Sequence, residues 1–452
     1  HRDLHSFPTR RSSDLTLHDN EFLGVSPSDL NKLRFSQWNK YKDKLVVLHQ
    51  ATFRNKRDFN THRLLRAVDN NTLLSKLPLT EQALESNVML SVDELRQIYA
   101  QHAYILENTE RLISNCNVSF EYGSDVPPKN QKTYTGSFEK DIELIRHLCE
   151  RGLGYRYPKM DDKIRTRIEK ELELIQQKGF VSYFLINWDI VRYAQQKGYF
   201  YVGRGSGANS VVAYLLRITD VDPIEIDLYF ERFMNLYRKN PPDFDIDFSW
   251  KDRDDVTAYI FKRFPNTALL ATYNTFQYRA TVRELSKVFG LPKDEIDVLS
   301  DGKFESNKLD SISSLVLRYA SYIQDFPAHL SVHAGGILIA EEPITNYTAT
   351  FLPPKGYATT HIDMVIAEDI GLYKFDILSQ RGLGKIKDAI SIVEQNKPET
   401  PKIDIHNIKM FKHDERVKEL LRKGRCMGCF YIESPAMRML LSKLEVDNYL
   451  GL

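Results

Sequence analysis

The segment "NPPDFDIDFSW" (residues 240–250) places Asp243, Asp245 and Asp247 two residues apart, with Phe244, Ile246 and Phe248 between and after them. Strand side chains alternate faces, so this spacing puts the three carboxylates on one face and the apolar residues on the other. Neighbouring carboxylates on such a face lie about 6.7 Å apart. At an effective dielectric near 20, each pair repels by about 2.5 kcal/mol. A raised pKa, paired arginines or bound cations must offset that repulsion. Asp is also a poor strand former. Two readings stay open from the spacing alone: a solvated edge strand, or an oxygen-ligand site suited to Mg²⁺. A calcium loop of the EF-hand type does not fit, because its glycine at the sixth position is missing.

A second stretch, "YVGRGSGANSVVAYLLRITD" (201–220), reads as a strand end, a glycine-rich turn and an apolar helical run. Glycines permit close backbone approach. A helix N-terminus beyond them offers unpaired N–H groups to an anion, with the Ser206 hydroxyl and the Arg204 charge nearby. The pattern is neither a P-loop nor a dinucleotide fingerprint, and a plain tight turn is the alternative. In a third stretch, "GLYKFDILSQRGLG" (371–384), Leu372–Leu378 alternates like a strand and carries Asp376 two residues after Lys374. Alone, such an Asp also reads as a salt-bridge partner or cap. Together the three stretches describe a solution for nucleotidyl transfer. Carboxylates on neighbouring strands hold two Mg²⁺ roughly 3.5–4 Å apart, one activating a 3′-hydroxyl and one neutralising a triphosphate.

Elements must position these groups. Ser91, with Glu94 three residues on, predicts a capping box for a helix over 92–116. Ser137 predicts a helix running to about Gly152, and further helices are predicted over 162–178 and 183–198, closed by Gly179 and Gly198. A short strand is predicted at Leu45–Val47, followed by a helix near Arg63–Val68. The stretch 121–136 predicts a loop or domain boundary. The chain has 452 residues, 42% hydrophobic and 27% charged, with net charge +1. These values describe a globular chain of several domains without a global basic field. No apolar run of about 18 residues predicts a membrane span. Four cysteines exclude a disulfide scaffold and predict a reducing, cytoplasmic setting. Cys426 and Cys429 lack a second pair at zinc-ligand spacing.

From about residue 43 onward the sequence resembles the bacterial DNA polymerase III alpha subunit, the C-family of replicative DNA polymerases. The resemblance is carried, in order, by "GRGSGANSVVAYLLRITDVDPIEIDLYFERFMN", "PPDFDIDF", "SVHAGGILIA", "YKFDIL" and "CFYIESPAMRMLL". It implies a mixed α/β (α+β) fold: a polymerase-beta-like nucleotidyltransferase palm with a helical thumb, preceded by the tail of a polymerase-and-histidinol-phosphatase (PHP) domain. The implied layout is PHP remnant over 16–120, palm over 121–272, thumb over 273–328, returning palm over 329–378 and the start of fingers over 379–452. The implied catalytic and metal-binding residues are Asp243, Asp245 and Asp376. Those touching the nucleotide's phosphates are Gly205, Ser206, Arg232, Arg238 and Lys374. Asp247 is expected to support them from behind, and His333 of "HAGG" to be structural. The implied cofactor is Mg²⁺, two ions, with Mn²⁺ as a substitute. The implied partners are primer–template DNA and dNTPs, with a sliding clamp and other replisome subunits for the longer protein, and no membrane.

Several residues depart from the family or stand outside it. The metal-binding Asp-x-His of the PHP domain is absent from "VVLHQATFRNKRDFNTH" (46–62), so His49 and His62 lack their expected partners. Arg279, Arg283 and Lys287 fall at i, i+4 and i+8, a helix face that points either to DNA phosphates or to solvent. Residues 1–15, "HRDLHSFPTRRSSDL", look like translated read-through of a sequencing adaptor and are left out of the fold reasoning. Both ends are therefore expected to be truncations. The rival function is a metal-dependent phosphoesterase or a binding-only, catalytically incompetent nucleic-acid-binding fragment.

Overall fold

The computed structural model describes residues 17–33, 35–123, 125–157, 159, 161–235, 241–429, 431–448 and 451–452. Residues 1–15, read as adaptor sequence, lie outside these. The chain divides into two compact units, one of residues up to Phe120 with Asn274–His329, the other of Glu121–Tyr273 with Leu330–Leu452. The mixed α/β class is the one expected from the sequence.

In the first unit, strands β1 (Leu23–Val25) and β2 (Leu45–Val47) pair in parallel. Val25, Leu33, Trp38, Leu45, Tyr99 and Ile105 close a core around them. A second core joins Leu64 and Ala67 of the helix Lys56–Asp69 to Val282 and Leu285 of Tyr278–Phe289 and to Val316 and Ala320 of Ser311–Ile323. Each fully buried Leu, Val or Ile stabilises such a core by roughly 1.5–3 kcal/mol. The Ser91–Glu94 capping box forms as predicted. The single helix expected over 92–116 is instead two, Val92–Ile98 and Ala103–Asn115. Tyr99 sits at the break, fully buried, and its hydroxyl donates to the Val25 carbonyl at 2.6 Å. The helix expected near Arg63 begins seven residues earlier, at Lys56, because Asn55 accepts from the Asp58 amide as its N-cap.

In the second unit, seven strands form one mixed sheet. They are β3 (Tyr201–Arg204), β4 (Asp245–Ser249), β5 (Thr267–Thr275), β6 (Pro327–Ile339), β7 (Thr350–Phe351), β8 (Thr359–Thr360) and β9 (Lys374–Gln380). Their order is β3-β4-β9-β6-β5-β8-β7. Strand β4 lies between β3, antiparallel, and β9, parallel. The helix Val181–Lys197 is buried on nearly every face, which marks a core helix. It ends at Gly198 in the left-handed conformation, φ +68°. Its Tyr183 packs on Phe375 of β9 at 4.8 Å and on Phe244 at 5.7 Å, and Phe184 meets Phe244 edge-on at 5.1 Å. These rings anchor the undersides of β4 and β9.

Three element boundaries differ from the sequence reading. The helix from Ser137 passes through Gly152 and ends at Arg156. Gly152 is a point of close approach, since a Cβ there would stand 2.3 Å from the Leu215 carbonyl oxygen. Strand β9 starts at Lys374, two residues late. The Asn130 side chain satisfies the Tyr373 backbone, its Nδ2 donating at 2.7 Å and its Oδ1 accepting at 2.8 Å. Strand β4 starts at Asp245, so Asp243 lies just before it. Pro241 and Pro242 have no N–H for a ladder, and the Phe244 amide is taken by the Tyr183 hydroxyl at 3.3 Å.

Candidate active site

The glycine-rich turn is shaped by close contacts. Gly203 of β3 leaves no room for a side chain, because a Cβ would meet the Ile218 carbonyl oxygen at 1.9 Å. Gly205 has φ +81°, and a Cβ there would stand 3.0 Å from Asp245 Oδ2. Residues Gly205–Asn209 form a short 3-10 turn, followed by the helix Val211–Leu215. The expectation that this helix start offers free amides to an anion is overturned. Glu171, fully buried, accepts from the Val211 and Val212 amides at 3.1 Å each and from the Ser210 hydroxyl at 2.8 Å. Arg167 Nε donates to the same carboxylate at 2.7 Å. Burial pushes the Glu171 carboxyl up, while Arg167 and the two amides oppose the shift. The protein therefore supplies its own anion at that helix start. Ser206, in the turn before that helix, is half-buried.

The acidic residues converge through strand register. In the parallel β4–β9 ladder Asp245 lies directly opposite Asp376, and hydrogen-bonded strands run about 4.8 Å apart. Asp243 joins them from the preceding segment through Lys374, whose Nζ stands 3.5 Å from Asp243 Oδ1 and hydrogen-bonds Asp376 Oδ2. On the other side, Arg204 bridges Asp247 Oδ2 at 2.6 Å and Asp245 Oδ2 at 3.0 Å. Gln380 adds a donor to Asp247 at 3.1 Å. Asp247 is thus buried, with Arg204 and Gln380 both donating to its Oδ2. The repulsion foreseen on the acidic face is met by two protein cations, one from each neighbouring strand.

Among the described residues the charges do not balance. Asp243, Asp245, Asp247 and Asp376 carry four formal negative charges, against two positive charges on Arg204 and Lys374. Burial holds the Asp245 carboxyl above its ordinary range, with Asp376 and Asp243 adding to the rise and Arg204 opposing it. Burial alone would lower the Lys374 ammonium, but Asp376, Asp243 and Asp245 outweigh it and raise its pKa. The side chains grade from Asp376, 7% exposed, through Asp245 at 27% to Asp243 at 55%. The centre therefore opens on the Asp243 side. As the side chains stand, no group of three or more His, Cys, Asp and Glu among the described residues is set to hold a metal ion. Lys374 and Arg204 occupy the spaces between the carboxylates. The donor set itself fits a hard dication, being all oxygen and two charges short of neutral.

The remaining candidates fall out as follows. Arg232 is exposed at the end of the turn Phe230–Arg232. The Glu231 beside it pairs with Lys170 at 2.5 Å, so the local Arg232–Glu231 pairing does not form. Arg238 lies outside the described residues. His333 Nδ1 accepts from the Gly335 and Gly336 amides at 3.2 and 2.7 Å, and burial pushes its pKa down. It holds this stretch of β6 as a neutral acceptor, the structural role expected. His49 bonds the Val88 carbonyl, and His62 Nε2 accepts from the Ala83 amide at 2.9 Å. Of the basic helix face, Arg279 pairs with Asp301 at 2.8 Å, Arg283 with Asp297 at 2.9 Å and Lys287 with Glu284 at 2.6 Å. Cys426 is buried, Cys429 exposed, and all four cysteines are free. The clamp role of Arg204 and the sealing role of Glu171 escaped the sequence reading. The Arg204 charge directly after Gly203 of β3 was the only signal for the first, and none was available for the second.

A mixed α/β unit with a carboxylate-rich, cation-demanding centre beside a glycine-rich turn is the class that the fold and site define. The family of the bacterial DNA polymerase III alpha NTPase domain matches residues 143–379, and the bacterial DNA polymerase III alpha subunit finger domain matches residues 382–452. The chain belongs to the bacterial DNA polymerase III alpha subunit family. It is 33% identical over 427 residues to an error-prone DNA polymerase of Symbiobacterium thermophilum, covering 90% of this chain and 38% of that protein. It is 33% identical over 411 residues to the DNA polymerase III subunit alpha of Bacillus subtilis, covering 86% and 36%. The Escherichia coli K12 subunit alpha is 28% identical over 438 residues, covering 90% and 37%. The chain thus spans less than two fifths of the length of these relatives.

Proposed function

We propose that the chain carries the nucleotidyl-transfer centre of a DNA-directed DNA polymerase, which adds dNTPs to a primer 3′-hydroxyl. The observation that carries this reading is the register of Asp245 opposite Asp376, with Asp243 alongside and, among the described residues, four carboxylates to two cations. On this reading 121–272 and 329–378 are palm, 273–328 is thumb, 16–120 is the PHP remnant and 379–452 begins the fingers. Asp243, Asp245 and Asp376 would hold two Mg²⁺, or Mn²⁺ in their place. When bound, such ions supply Lewis-acid charge to the entering hydroxyl and the leaving pyrophosphate.

The chain's own residues do the rest. The open turn at Gly205 and Ser206 brings backbone and a hydroxyl against phosphate oxygens, next to Asp245. Arg232 and Arg238 add positive charge for a triphosphate that brings about four negative ones. Lys374 neutralises Asp243 and Asp376 while the centre is empty of substrate, and its ammonium turns to phosphate oxygen when a nucleotide arrives. Arg204 holds Asp247, and through it the start of β4, in place. Partners on this reading are primer–template DNA and dNTPs and, for the longer protein, a sliding clamp and other replisome subunits. The cytoplasm is the expected compartment, in keeping with four free cysteines. Among the described residues, no helix is long and apolar enough to cross a membrane. The rival phosphoesterase finds no support at His49 and His62, whose ring nitrogens are engaged by backbone.

The test is calorimetric titration of Mg²⁺ and dNTP into this chain and into Asp243→Asn/Asp245→Asn. Loss of metal-dependent nucleotide binding in the double variant is the expected result. Equal binding by both proteins overturns the reading.

A further inference from the structure

The first unit carries a basic and aromatic groove that the acidic centre does not use. Its two walls are the helix Lys56–Asp69, with Arg54 just before it, and the end of the helix Ser311–Ile323. The groove has a volume of about 700 Å³, within the roughly 300–1,000 Å³ of ligand sites. Arg57 lies over the Tyr322 ring at 4.7 Å. Arg318, one helical turn before Tyr322, donates to the Tyr322 hydroxyl at 3.5 Å. Arg57 thus covers the Tyr322 ring while Arg318 reaches its hydroxyl, and together they pull that hydroxyl below its ordinary pKa. Tyr322 is 39% exposed and Phe326, at the mouth, 54%.

The charges of this groove are lopsided in the opposite sense to the acidic centre. Arg54, Arg57 and Arg318 are met by a single lining carboxylate, Asp58, which Arg54 and Arg57 share at 2.9 and 3.5 Å. Asp325 is turned to Gln277, which donates to it at 3.0 Å, and Glu85 is held by Lys56 at 2.8 Å. Burial keeps His62 on the neutral side. The formal balance of the three arginines and Asp58 is +2. An exposed tyrosine and phenylalanine framed by guanidiniums is the chemistry of single-strand recognition. Bases stack on rings whatever their sequence, and arginines follow the phosphates. A duplex hides its base faces, and an acidic peptide has no use for two exposed rings.

We infer that this groove binds single-stranded DNA, with phosphates on Arg57 and Arg318 and bases on Tyr322 and Phe326. The choice of DNA over RNA rests on the proposed function; the recognition chemistry does not. The sequence left Arg279, Arg283 and Lys287 open between DNA phosphates and solvent, and those are each matched to a carboxylate. The groove arginines outnumber theirs.

The experiment is fluorescence anisotropy of labelled dT15 with the full chain in EDTA, which silences any metal-dependent binding at the acidic centre. Arg57→Gln/Arg318→Gln is expected to weaken binding about tenfold and to flatten the salt slope by about 1.4, for two phosphate contacts. Tyr322→Ser/Phe326→Ser is expected to weaken it at least about tenfold. Arg279→Gln/Arg283→Gln should stay within about twofold. Equal affinity across all variants overturns the proposal. So does tighter binding of rU15 than dT15, or displacement by polyglutamate with no loss in the Tyr322→Ser/Phe326→Ser variant, which would mark a charge patch alone. If either groove variant fails to fold, photo-crosslinking of 5-iodouracil DNA to the unaltered chain decides the matter. Crosslinks mapped to Tyr322 or Phe326 support the proposal, and their absence there overturns it. The calorimetric test of the acidic centre reads a different unit, so the two readings fail separately.

Discussion

Two charged sets in this protein follow opposite rules. On the helix Tyr278–Phe289, Arg279, Arg283 and Lys287 each meet one carboxylate, and the set closes on itself. On strands β4 and β9 and the segment before β4, four carboxylates share two cations among the described residues, and that set is unmatched. A matched surface pair contributes about 0–1 kcal/mol and asks for nothing further. An unmatched set at a partly buried sheet face is held in place by the fold at a cost, and it gains from an external cation. Charge count within a cluster, more than the presence of charge, separates solvated structure from a site. Glu171 makes the same point for a single buried group. It is surrounded by Arg167, the Ser210 hydroxyl and two amides, and its role is structural.

The comparison can be broken most directly at the unmatched set. On the proposed function, Asp376→Asn is expected to lower the rate of primer extension by at least about 10²–10³-fold, the scale of losing one preorganised charge-stabilising group. A loss of less than tenfold would place Asp376 among the structural charges. Next comes Glu171. Glu171→Ala strands Arg167 and two amides in the core and is expected to cost about 3–5 kcal/mol in urea unfolding. A cost below 1 kcal/mol would mean that water reaches the site.

A third test uses pH in the first unit. Burial lowers the His62 pKa, so the folded state binds its proton less readily than the unfolded one. Above the unfolded value near 6.5 both states are neutral and His62 contributes nothing to pH dependence. As pH falls below 6.5, the unfolded chain takes the proton first and stability drops, levelling only below the folded pKa. Unfolding midpoints from pH 7.5 to 5 should fall for the natural sequence and stay flatter for His62→Gln. The smallest effect is expected at the matched set. Arg283→Ala should change stability by no more than about 1 kcal/mol. A larger loss would make the Arg283–Asp297 pair more than a surface contact.

Much of this was legible along the chain. The Ser91–Glu94 box, the Ser137 cap and the left-handed Gly198 are local, since their partners lie within four residues. The alternation of Asp and aromatic residues announced a strand with an acidic face, although two prolines stopped that strand short of Asp243. Gly152 was misread as a stop because its contact, the Leu215 carbonyl, is 63 residues away and leaves no periodic trace. The helix start at Val211 was misread for the same reason, its acceptor being Glu171, 40 residues back. The basic face of Tyr278–Phe289 had the right spacing for DNA, but its carboxylate partners Asp297 and Asp301 come from another helix and the turn after it.

By itself the sequence determined which residue types were available: three aspartates at strand spacing, a glycine turn, a lone Asp after a Lys, and the caps that start the helices. Backbone propensity and side-chain alternation are local, so a linear reading reaches them. Tertiary structure alone decided that Asp245 faces Asp376 across a parallel ladder, and that Arg204 and Lys374 stand between the carboxylates. It also decided that Glu171 fills the helix start and that Arg57 and Arg318 meet at Tyr322. Charge balance depends on distances of a few ångströms between groups distant in sequence, and only the packed chain sets those distances.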